Sequence, residues 1–493
     1  MNQPRIWFLG FSLWLAGTLQ ADYRKEAGPV PEPPREFRAA WIASVFNLDW
    51  PSSAGLPAEK QQAELCAIFD RLQALGLNAV VLQVRPAGDA AYVSKLEPWS
   101  GFFSGSMGKS PGYDPLAFAL TEAHRRGLQL HAWLNPFRAL VGKHPASDGH
   151  LTRQHPDWVR TYGDLQWVDP GEPKARLHLL AVVADLLRRY DVDGIHIDDY
   201  FYPYPVRAPE GGLLPFPDDT TYAASGSTLS RADWRRQNID TFIRDFYATA
   251  KAARPAAAVG ISPFGIWRPN NPEGIAASVD SFEHLAADSR KWFREGWCDY
   301  FTPQLYWSID PPKQSFRALL SWWQAQNEKK RHLWPGISTA RIEAKPGTGR
   351  PAEEILRQID LSRTGSPAAG HCHWRTQSLM QNRGGIATQL LAGPYAEKAL
   401  PPAYPWLPDK PGAVPSATIA EDGDGVIVTW KPGAGFRWVA VQERTDGKWT
   451  LTSIAWAANG KTRLKGRAEA VALRFTAANG TLLPGACLWV RRG

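Results

Sequence analysis

From residue 37 to residue 395, short apolar runs alternate with amphipathic stretches of helical spacing. In the first such stretch, Leu65, Ile68, Phe69 and Leu72 recur at helical intervals before Gly76 ends the pattern. The runs predict eight strands, at residues 37–45, 78–84, 129–134, 194–198, 258–262, 300–305, 332–337 and 370–374. Eight strands alternating with helices predict an α/β chain closed into a (β/α)8 barrel. A doubly wound open sheet is the alternative, but no glycine-rich dinucleotide motif follows the first run.

The pattern changes after the predicted barrel. Prolines are dense in residues 396–411, which we interpret as a stiff linker. From residue 412 to residue 493 the chain holds short strand-like runs separated by Gly, Asp and Asn turns. These runs predict a small C-terminal all-β sandwich that resembles a fibronectin type III module, with Trp430 on an early strand.

The first 21 residues predict a cleavable signal peptide. Arg5 supplies the positive charge, residues 6–16 the apolar stretch, and Leu19-Gln20-Ala21 the small-residue cleavage site. Asp22 stands where a lipid anchor would need a cysteine, and residues 22–36 are interpreted as a polar, proline-rich linker. Because no other stretch has membrane-spanning length, we expect a periplasmic or secreted protein without a transmembrane segment. The four scattered cysteines are interpreted as free thiols.

Aromatic residues are abundant, with 23 Trp, 14 Tyr and 20 Phe in 493 residues. The apolar face of a pyranose ring packs on an indole ring, so this excess favours sugar binding. The net charge of +8 would suit nucleic acid, but the sequence has no run of Lys and Arg and no nucleic-acid motif. An acidic polysaccharide is the better partner for an exported basic protein. We therefore expect a polysaccharide partner, no nucleic acid and no cofactor.

Polar side chains mark the carboxyl end of the fourth predicted strand. Period-2 alternation turns His196 and Asp198 into the barrel, and Asp199 lies one step beyond. Barrel enzymes place catalysis at these strand ends, which makes Asp198 a candidate catalytic carboxyl. The alternative is that Asp198 forms a stabilising ion pair with a neighbouring arginine.

Strands two, three and six end in the same way. Amide, guanidinium, imidazole and phenol groups share the inward face of each strand, and such groups converging on one mouth suit a ligand rich in hydroxyls. The predicted substrate-binding residues at and after the ends of strands two, three, four and six are Arg85, Asp89, Trp133, Asn135, Arg138, His196, Tyr200, Gln304, Tyr306 and Trp307.

A histidine pair on the eighth strand raises the question of a metal site. Alternation places His371 and His373 on one side of the strand. A catalytic zinc site needs a third protein ligand, and no His-x-x-x-His motif or cysteine pair supplies one. A packed or sugar-contacting pair is favoured, and no metal is predicted.

Motifs spread along the barrel resemble those of the bacterial glycosyl-hydrolase-like ten family. They are PREFRAAWI (34–42), NLDWP (47–51), QVRP with GDA (83–90), AWLNPFR (132–138), DGIHIDDYFYP (193–203) and PQLYW (303–307). Members of this family include periplasmic enzymes that cleave peptidoglycan glycan strands already stripped of stem peptides. The resemblance implies a glycoside hydrolase that cleaves β-1,4 bonds between N-acetylglucosamine and N-acetylmuramic acid. A non-catalytic glycan-binding wall protein is the alternative, and a metal-dependent hydrolase of wall amides or esters is a third reading.

The second catalytic carboxyl stays open at this point. Glycoside hydrolysis commonly uses two carboxyl groups, and Asp198 fits one of the two roles. Alternation can turn Asp199 away from the mouth, which suggests a supporting role. Glu343, after the seventh strand, is a candidate partner, and Asp89 and Asp310 are other loop carboxylates. The sequence does not choose among them, nor between retention and inversion.

Overall fold

The computed structural model describes residues 23–142, 145–311, 313–343, 349–365, 368–408, 412–433 and 435–491. The predicted signal peptide, residues 1–21, lies outside the described residues. The strands are β1 (Tyr23–Glu26), β2 (Phe37–Ile42), β3 (Ala79–Arg85), β4 (Gln129–Leu134), β5 (Arg138–Leu140), β6 (Val159–Tyr162), β7 (Leu165–Val168), β8 (Gly194–Ile197), β9 (Ala258–Ile261), β10 (Tyr300–Phe301), β11 (His332–Leu333), β12 (Gly336–Ile337), β13 (Gly370–His373), β14 (Ala417–Asp422), β15 (Gly425–Trp430), β16 (Trp438–Thr445), β17 (Lys448–Trp456), β18 (Lys461–Leu464), β19 (Ala470–Thr476) and β20 (Cys487–Arg491).

Helices connect most of the barrel strands, as the alternation predicts. They are α1 (Ala58–Ala74), α2 (Gly101–Ser104), α3 (Pro115–Arg125), α4 (Leu151–Gln154), α5 (Pro173–Arg189), α6 (Asp219–Ala224), α7 (Arg231–Ala253), α8 (Ser281–His284), α9 (Ser289–Glu295), α10 (Phe316–Ala325), α11 (Ala352–Arg363), α12 (Thr376–Met380) and α13 (Ile386–Ala392).

The large parallel sheet closes on itself. Its hydrogen-bonded order is β11-β10-β9-β8-β4-β3-β2-β13-β12. Strands β11 and β12 are two pieces of the seventh predicted strand, separated only by Trp334 and Pro335. Because β11 pairs with β10 while β12 pairs with β13, the two ends of the sheet are the same stretch of chain. The predicted (β/α)8 barrel is therefore confirmed.

Aromatic rings fill the interior of the barrel. Phe37 and Trp334 stack with ring centroids 4.0 Å apart, and the Tyr300 hydroxyl hydrogen-bonds to Nδ1 of His131 at 2.9 Å. Gly260 on β9 makes room for this packing, because a Cβ at that position would lie 2.0 Å from Cζ of Tyr300. The filled interior forms a floor beneath the mouth of the barrel.

A small antiparallel sheet, which the sequence pattern did not reveal, follows the third barrel strand. Its order is β5-β7-β6, and β6 and β7 are joined by a tight turn at Gly163 and Asp164. The sheet begins at Arg138, which pairs with Trp167. It therefore fixes the backbone of Arg138 beside the barrel mouth.

Two antiparallel sheets form the C-terminal module. One has the order β14-β15-β18, and the other has the order β1-β20-β19-β16-β17. They enclose a common core that includes Trp430, Val441 and Phe475. Strand β1 belongs to the segment predicted as a linker, residues 22–36, and pairs with β20 at the other end of the chain. The predicted C-terminal β-sandwich is present, and its likeness to a fibronectin type III module stays a prediction.

The module packs against the amino-terminal ends of the barrel strands. Arg437 donates hydrogen bonds to Asp193 at 2.8 Å and to Asp191 at 3.1 Å, and Asp193 directly precedes β8. The His124 ring stacks on Trp456 with centroids 4.1 Å apart. Since Asp198 follows the other end of β8, the module and the barrel mouth lie at opposite ends of the barrel.

All four cysteines are free, three of them buried and Cys66 half-buried. Among the helices of the described ranges, none combines the length and the apolar character needed to cross a membrane.

Candidate active site

A cavity of about 320 Å³ lies at the carboxyl ends of the barrel strands. Much of its wall is aromatic, contributed by Trp41, Phe46, Trp133, Tyr200, Tyr204, Tyr306 and Trp374. Its polar lining residues are Gln83, Arg138, Asp198, Asp199, Ser262 and Gln304. The polar strand ends therefore converge on one mouth, as expected from the alternation.

Asp198 and Asp199 both line this cavity, and each is only 4% exposed. Strand β8 ends at Ile197, so the two aspartates follow the last regular pair of the strand. Strict alternation therefore does not extend to Asp199, and its side chain is not turned away from the mouth. Two consecutive carboxyl groups share one wall of the site.

A chain of hydrogen bonds orients the Asp198 carboxyl. The backbone amides of Ser44 and Val45 donate to Oε1 of Gln83, at 3.0 and 2.9 Å. Nε2 of Gln83 donates to Oδ1 of Asn135, and Nδ2 of Asn135 donates to Oδ2 of Asp198, each at 2.5 Å. Oδ1 of Asp198 has no hydrogen-bond partner within the described ranges of the chain. One carboxyl oxygen is fixed by Asn135, and the backbone amide of Tyr200 also acts on the carboxyl group and lowers its pKa.

Asp199 is held more fully than Asp198. The Tyr204 hydroxyl donates to Oδ2 of Asp199, and the Gln304 side chain hydrogen-bonds to the same carboxyl group. The Gln304 amide also donates to the backbone carbonyl of Ser262 at 3.0 Å. Hydrogen bonds of this kind favour the ionised form of Asp199.

The environment raises the pKa of both carboxyl groups. Burial and then the neighbouring charge of Asp199 raise the pKa of Asp198 to about 7, against the opposing effects of Arg138 and Asn135. Burial also raises the pKa of Asp199, although its hydrogen bonds with Tyr204 and Gln304 act in the opposite direction. Because the charge of Asp199 disfavours the ionised form of Asp198, the pair can hold one proton and act as an acid and a base near neutral pH.

Arg138 is the cation of the cavity wall. Its guanidinium lies 4.2 Å from the centre of the Tyr200 ring, and Nη1 donates to Oδ1 of Asn135 at 3.5 Å. Its positive charge also lowers the pKa of Asp198 and of Asp199. Arg138 can therefore stabilise the carboxylates and still meet an anionic group of a ligand.

Two residues predicted to bind substrate, Arg85 and Asp89, lie behind the cavity wall. Arg85 is fully buried, with Nε and Nη2 donating to both oxygens of Glu97 at 2.8 and 2.5 Å. Its Nη1 donates to the backbone carbonyl of Asn135 at 2.5 Å. Asp89 is also buried and accepts from the amide of Ala87 at 2.9 Å. The structure gives these two residues a supporting place beneath the third strand end.

His196 and Trp307 also lie outside the lining. Nε2 of His196 hydrogen-bonds to the Ser262 hydroxyl at 2.8 Å, and Nδ1 to the Tyr300 hydroxyl at 3.0 Å. His196 is thus part of the floor under the cavity. Trp307 packs edge-on against Phe264 at 5.7 Å.

The loop carboxylates considered as partners of Asp198 are not part of the cavity lining. Glu343 is exposed at a positive φ of 45°. Asp310 is exposed and pairs with Arg317 at 3.0 Å. In the part of the chain that the structure describes, Asp199 is the carboxyl group that joins Asp198 in the cavity.

The two histidines of the eighth strand face away from the barrel interior, where Cys372 lies between them, and pack against Tyr395 just after α13. Nε2 of His371 and Nε2 of His373 both hydrogen-bond to the Tyr395 hydroxyl, the latter at 2.8 Å. Across the described residues, no group of three His, Cys, Asp or Glu side chains is arranged to hold a metal ion.

Sequence reasoning missed several lining residues. Trp41 follows the inward alternation of β2, and Tyr204 lies just beyond the Asp198 motif, so both could have been found by extending the same logic. Trp374 directly follows β13. Phe46 could not have been found, because its φ of 55° places a loop residue at the rim where it is 59% exposed.

An acidic pair in an aromatic cavity at the carboxyl ends of barrel strands suits an enzyme that acts on sugars. Comparison with known proteins agrees. The sequence model of the glycosyl hydrolase-like 10 family matches residues 36–348, and the chain belongs to that family.

Curated relatives of the chain are also named glycosyl hydrolases. The chain is 39% identical over 412 residues to "Glycosyl hydrolase YngK" of Bacillus subtilis, covering 80% of this chain and 79% of that protein. It is 35% identical over 356 residues to "Glycosyl hydrolase DigH" of Escherichia coli K12, covering 66% of this chain and 80% of that protein. Among solved structures, the glycoside hydrolase domain of PgaB (BpsB) from Bordetella bronchiseptica aligns with a TM-score of 0.47 at 13% identity, covering 73% of this chain and 98% of that domain.

Proposed function

We propose that this glycoside hydrolase cleaves β-1,4 bonds of bacterial cell-wall glycan, on peptidoglycan strands stripped of their stem peptides. The observation that carries the proposal is the buried pair of Asp198 and Asp199, set among aromatic rings at the barrel mouth. Asp198 has a pKa raised toward neutrality, which suits a general acid.

The shape and charge of the cavity support a bare, acidic sugar chain as the substrate. Trp133, Tyr200, Tyr306 and Trp374 offer aromatic faces for sugar rings. Arg138 lies among them and can donate charge-assisted hydrogen bonds to the lactyl carboxylate of muramic acid. Stem peptides extend that lactyl group and would collide with a close-fitting wall, and such a clash costs more than one lost contact.

The place of action belongs to the same proposal. The charge, apolar stretch and small-residue site of residues 1–21 support export to the periplasm or beyond. A peptidoglycan glycan would be present there.

The test uses purified mature protein on two matched substrates. Peptidoglycan treated with an amidase, which removes stem peptides, is compared with the untreated material, and new reducing ends are counted. We expect much faster release from the stripped glycan. Binding without release of reducing ends would instead favour a non-catalytic glycan-binding protein, and equal release from both would remove the preference for stripped strands. Release that a chelator abolishes would favour metal chemistry.

A further inference from the structure

Trp374 packs near three other aromatic rings of the cavity, and the four rings together are called the Trp374 box. The ring centroid of Trp374 lies 6.0 Å from that of Trp41, 6.2 Å from that of Trp133 and 6.4 Å from that of Tyr306. All four rings line the same cavity as the acidic pair. A methyl group buried among such rings loses no hydrogen bond with water, whereas a polar group must find a partner there.

The box also contains a polar atom without a partner. Nε1 of Trp133 is buried and has no hydrogen-bond acceptor among the described residues. Such a donor costs free energy unless a ligand supplies an acceptor. Apolar rings, an unpaired N–H donor and adjacent carboxyl groups together match a sugar substituent that carries a methyl, a carbonyl oxygen and an N–H.

The two carboxyl groups are suited to different tasks. Asp198 accepts a side-chain hydrogen bond from Asn135, whereas Asp199 is held by Tyr204 and Gln304. Two-carboxylate mechanisms place the carboxyl groups on opposite sides of the bond, about 5–5.5 Å apart for retention and about 6.5–9.5 Å apart for inversion. Asp198 and Asp199 are consecutive, with Cα atoms about 3.8 Å apart, and among the described residues no other carboxyl group lines the cavity to face them across the bond.

We propose that the enzyme requires a 2-acetamido sugar, whose acetamido oxygen serves as the nucleophile while Asp198 acts as the acid and Asp199 orients the acetamido N–H. The acetamido methyl lies in the Trp374 box. This inference rests on the proposed function and specifies its substrate class.

The reaction balances without a cofactor. In the first step the acetamido carbonyl oxygen bonds to C1, the C1–O bond to the leaving sugar breaks, and the Asp198 proton passes to the leaving oxygen. In the bicyclic oxazolinium ion that results, the N–H still donates a hydrogen bond to Asp199. In the second step water bonds to C1 and gives a proton to Asp198, while the internal C1–O bond breaks and the acetamido group is restored. The anomeric configuration is retained.

The test varies the acyl group of one glycan. Stripped peptidoglycan glycan is de-N-acetylated and re-acylated with acetyl, fluoroacetyl, difluoroacetyl or trifluoroacetyl groups. Each fluorine withdraws electrons from the carbonyl oxygen with little change in size. We expect kcat to fall with each fluorine while KM changes little, and NMR to show retention of the β-anomer in the first product. The parent enzyme should show no glycosyl adduct on the protein, and the Asp199→Asn variant should lose kcat.

The outcomes separate the two proposals. A kcat that does not depend on fluorine content, an inverted product or a covalent glycosyl adduct would overturn the acetamido mechanism and leave the glycosidase function standing. A control enzyme verifies that untreated stripped glycan can be cleaved. If the present enzyme then fails to cleave even the re-acetylated glycan, the proposed function itself is overturned.

Discussion

The side-chain amide of Asn135 donates a hydrogen bond to Asp198 at 2.5 Å, and Gln83 fixes the amide in the orientation that makes this possible. Asn135, which follows the third barrel strand, thereby orients the carboxyl group of Asp198, which follows the fourth. The bond also opposes the effect of burial, because it lowers the pKa of Asp198.

Removing this hydrogen bond should change the pH profile as well as the rate. In Asn135→Ala the pKa of Asp198 should rise further, so the alkaline limb of the kcat profile should move to higher pH while kcat falls. A pH–rate series on stripped glycan measures both effects. Gln314→Ala, which removes an amide outside the cavity lining, serves as the control and should leave the profile in place. A lower kcat with an unmoved alkaline limb would contradict this role of Asn135.

Neutralising Asp198 should stabilise the fold at neutral and alkaline pH. Its folded pKa of about 7 lies above the ordinary aspartate pKa of 3.8, so the folded state binds the proton more tightly and stability is lost as the pH rises between these values. Asp198→Asn should therefore have a higher Tm than the parent at pH 8, and the difference should vanish near pH 4.

The control variant removes a carboxyl group whose pKa is lowered and not raised. Asp310 is exposed, and its hydrogen bond with Arg317 lowers its pKa, so Asp310→Asn should not raise the Tm at pH 8. If the Tm of Asp198→Asn lies below that of the parent at every pH, the charge of Asp198 does not destabilise the fold.

Arg138 should discriminate between acidic and neutral glycans. If its guanidinium meets the lactyl carboxylate, Arg138→Ala should lose about tenfold or more in kcat/KM on stripped peptidoglycan glycan, the size of one charge-assisted hydrogen bond. Chitin oligosaccharides, which lack the lactyl group, should be cleaved at nearly the rate of the parent. Equal losses on both substrates would assign Arg138 to holding Asp198 and Asn135 in place.

The interface between barrel and module should matter for stability and not for chemistry on short glycans. Arg437→Ala leaves Asp193 buried without its arginine, which should lower the free energy of unfolding by about 3 kcal/mol, because His124 still contacts the carboxyl group. Arg463→Ala breaks exposed pairs with Asp422 and Asp424 in the same module and should change the free energy of unfolding far less. Chemical denaturation measures both, and reduced kcat on a short glycan for Arg437→Ala would contradict the separation of module and mouth.

The barrel could be predicted because its signal is repeated many times along the chain. Alternation along single strands also indicated residues that the structure places in the cavity lining, Trp133, Gln304 and Tyr306, and Asn135, which hydrogen-bonds to Asp198. Their roles in substrate binding stay predictions. It did not separate Arg85 from the lining, because its partner Glu97 comes from a loop whose path the strand pattern does not define.

Contacts set by distant chain segments could not be predicted. The pairing of β1 with β20 joins the two ends of the chain, and no local pattern signals it. Asp199 reaches the cavity because the strand ends one residue earlier than the pattern indicates, at Ile197. The position of Glu343 depends on the loop after the seventh strand, where strand alternation has no influence.

The most direct measurement compares Asp198→Asn with Asp310→Asn on stripped peptidoglycan glycan, by counting reducing ends and by glycan binding in the same preparations. Both variants should fold, and near-UV circular dichroism, which reports tertiary packing, checks this. Asp198→Asn should lose activity by at least about 100-fold, the usual contribution of a general acid, while binding glycan as the parent does, and Asp310→Asn should remain fully active. Activity of Asp198→Asn within a few-fold of the parent would show that the carboxyl pair at the end of β8 is not the catalytic centre.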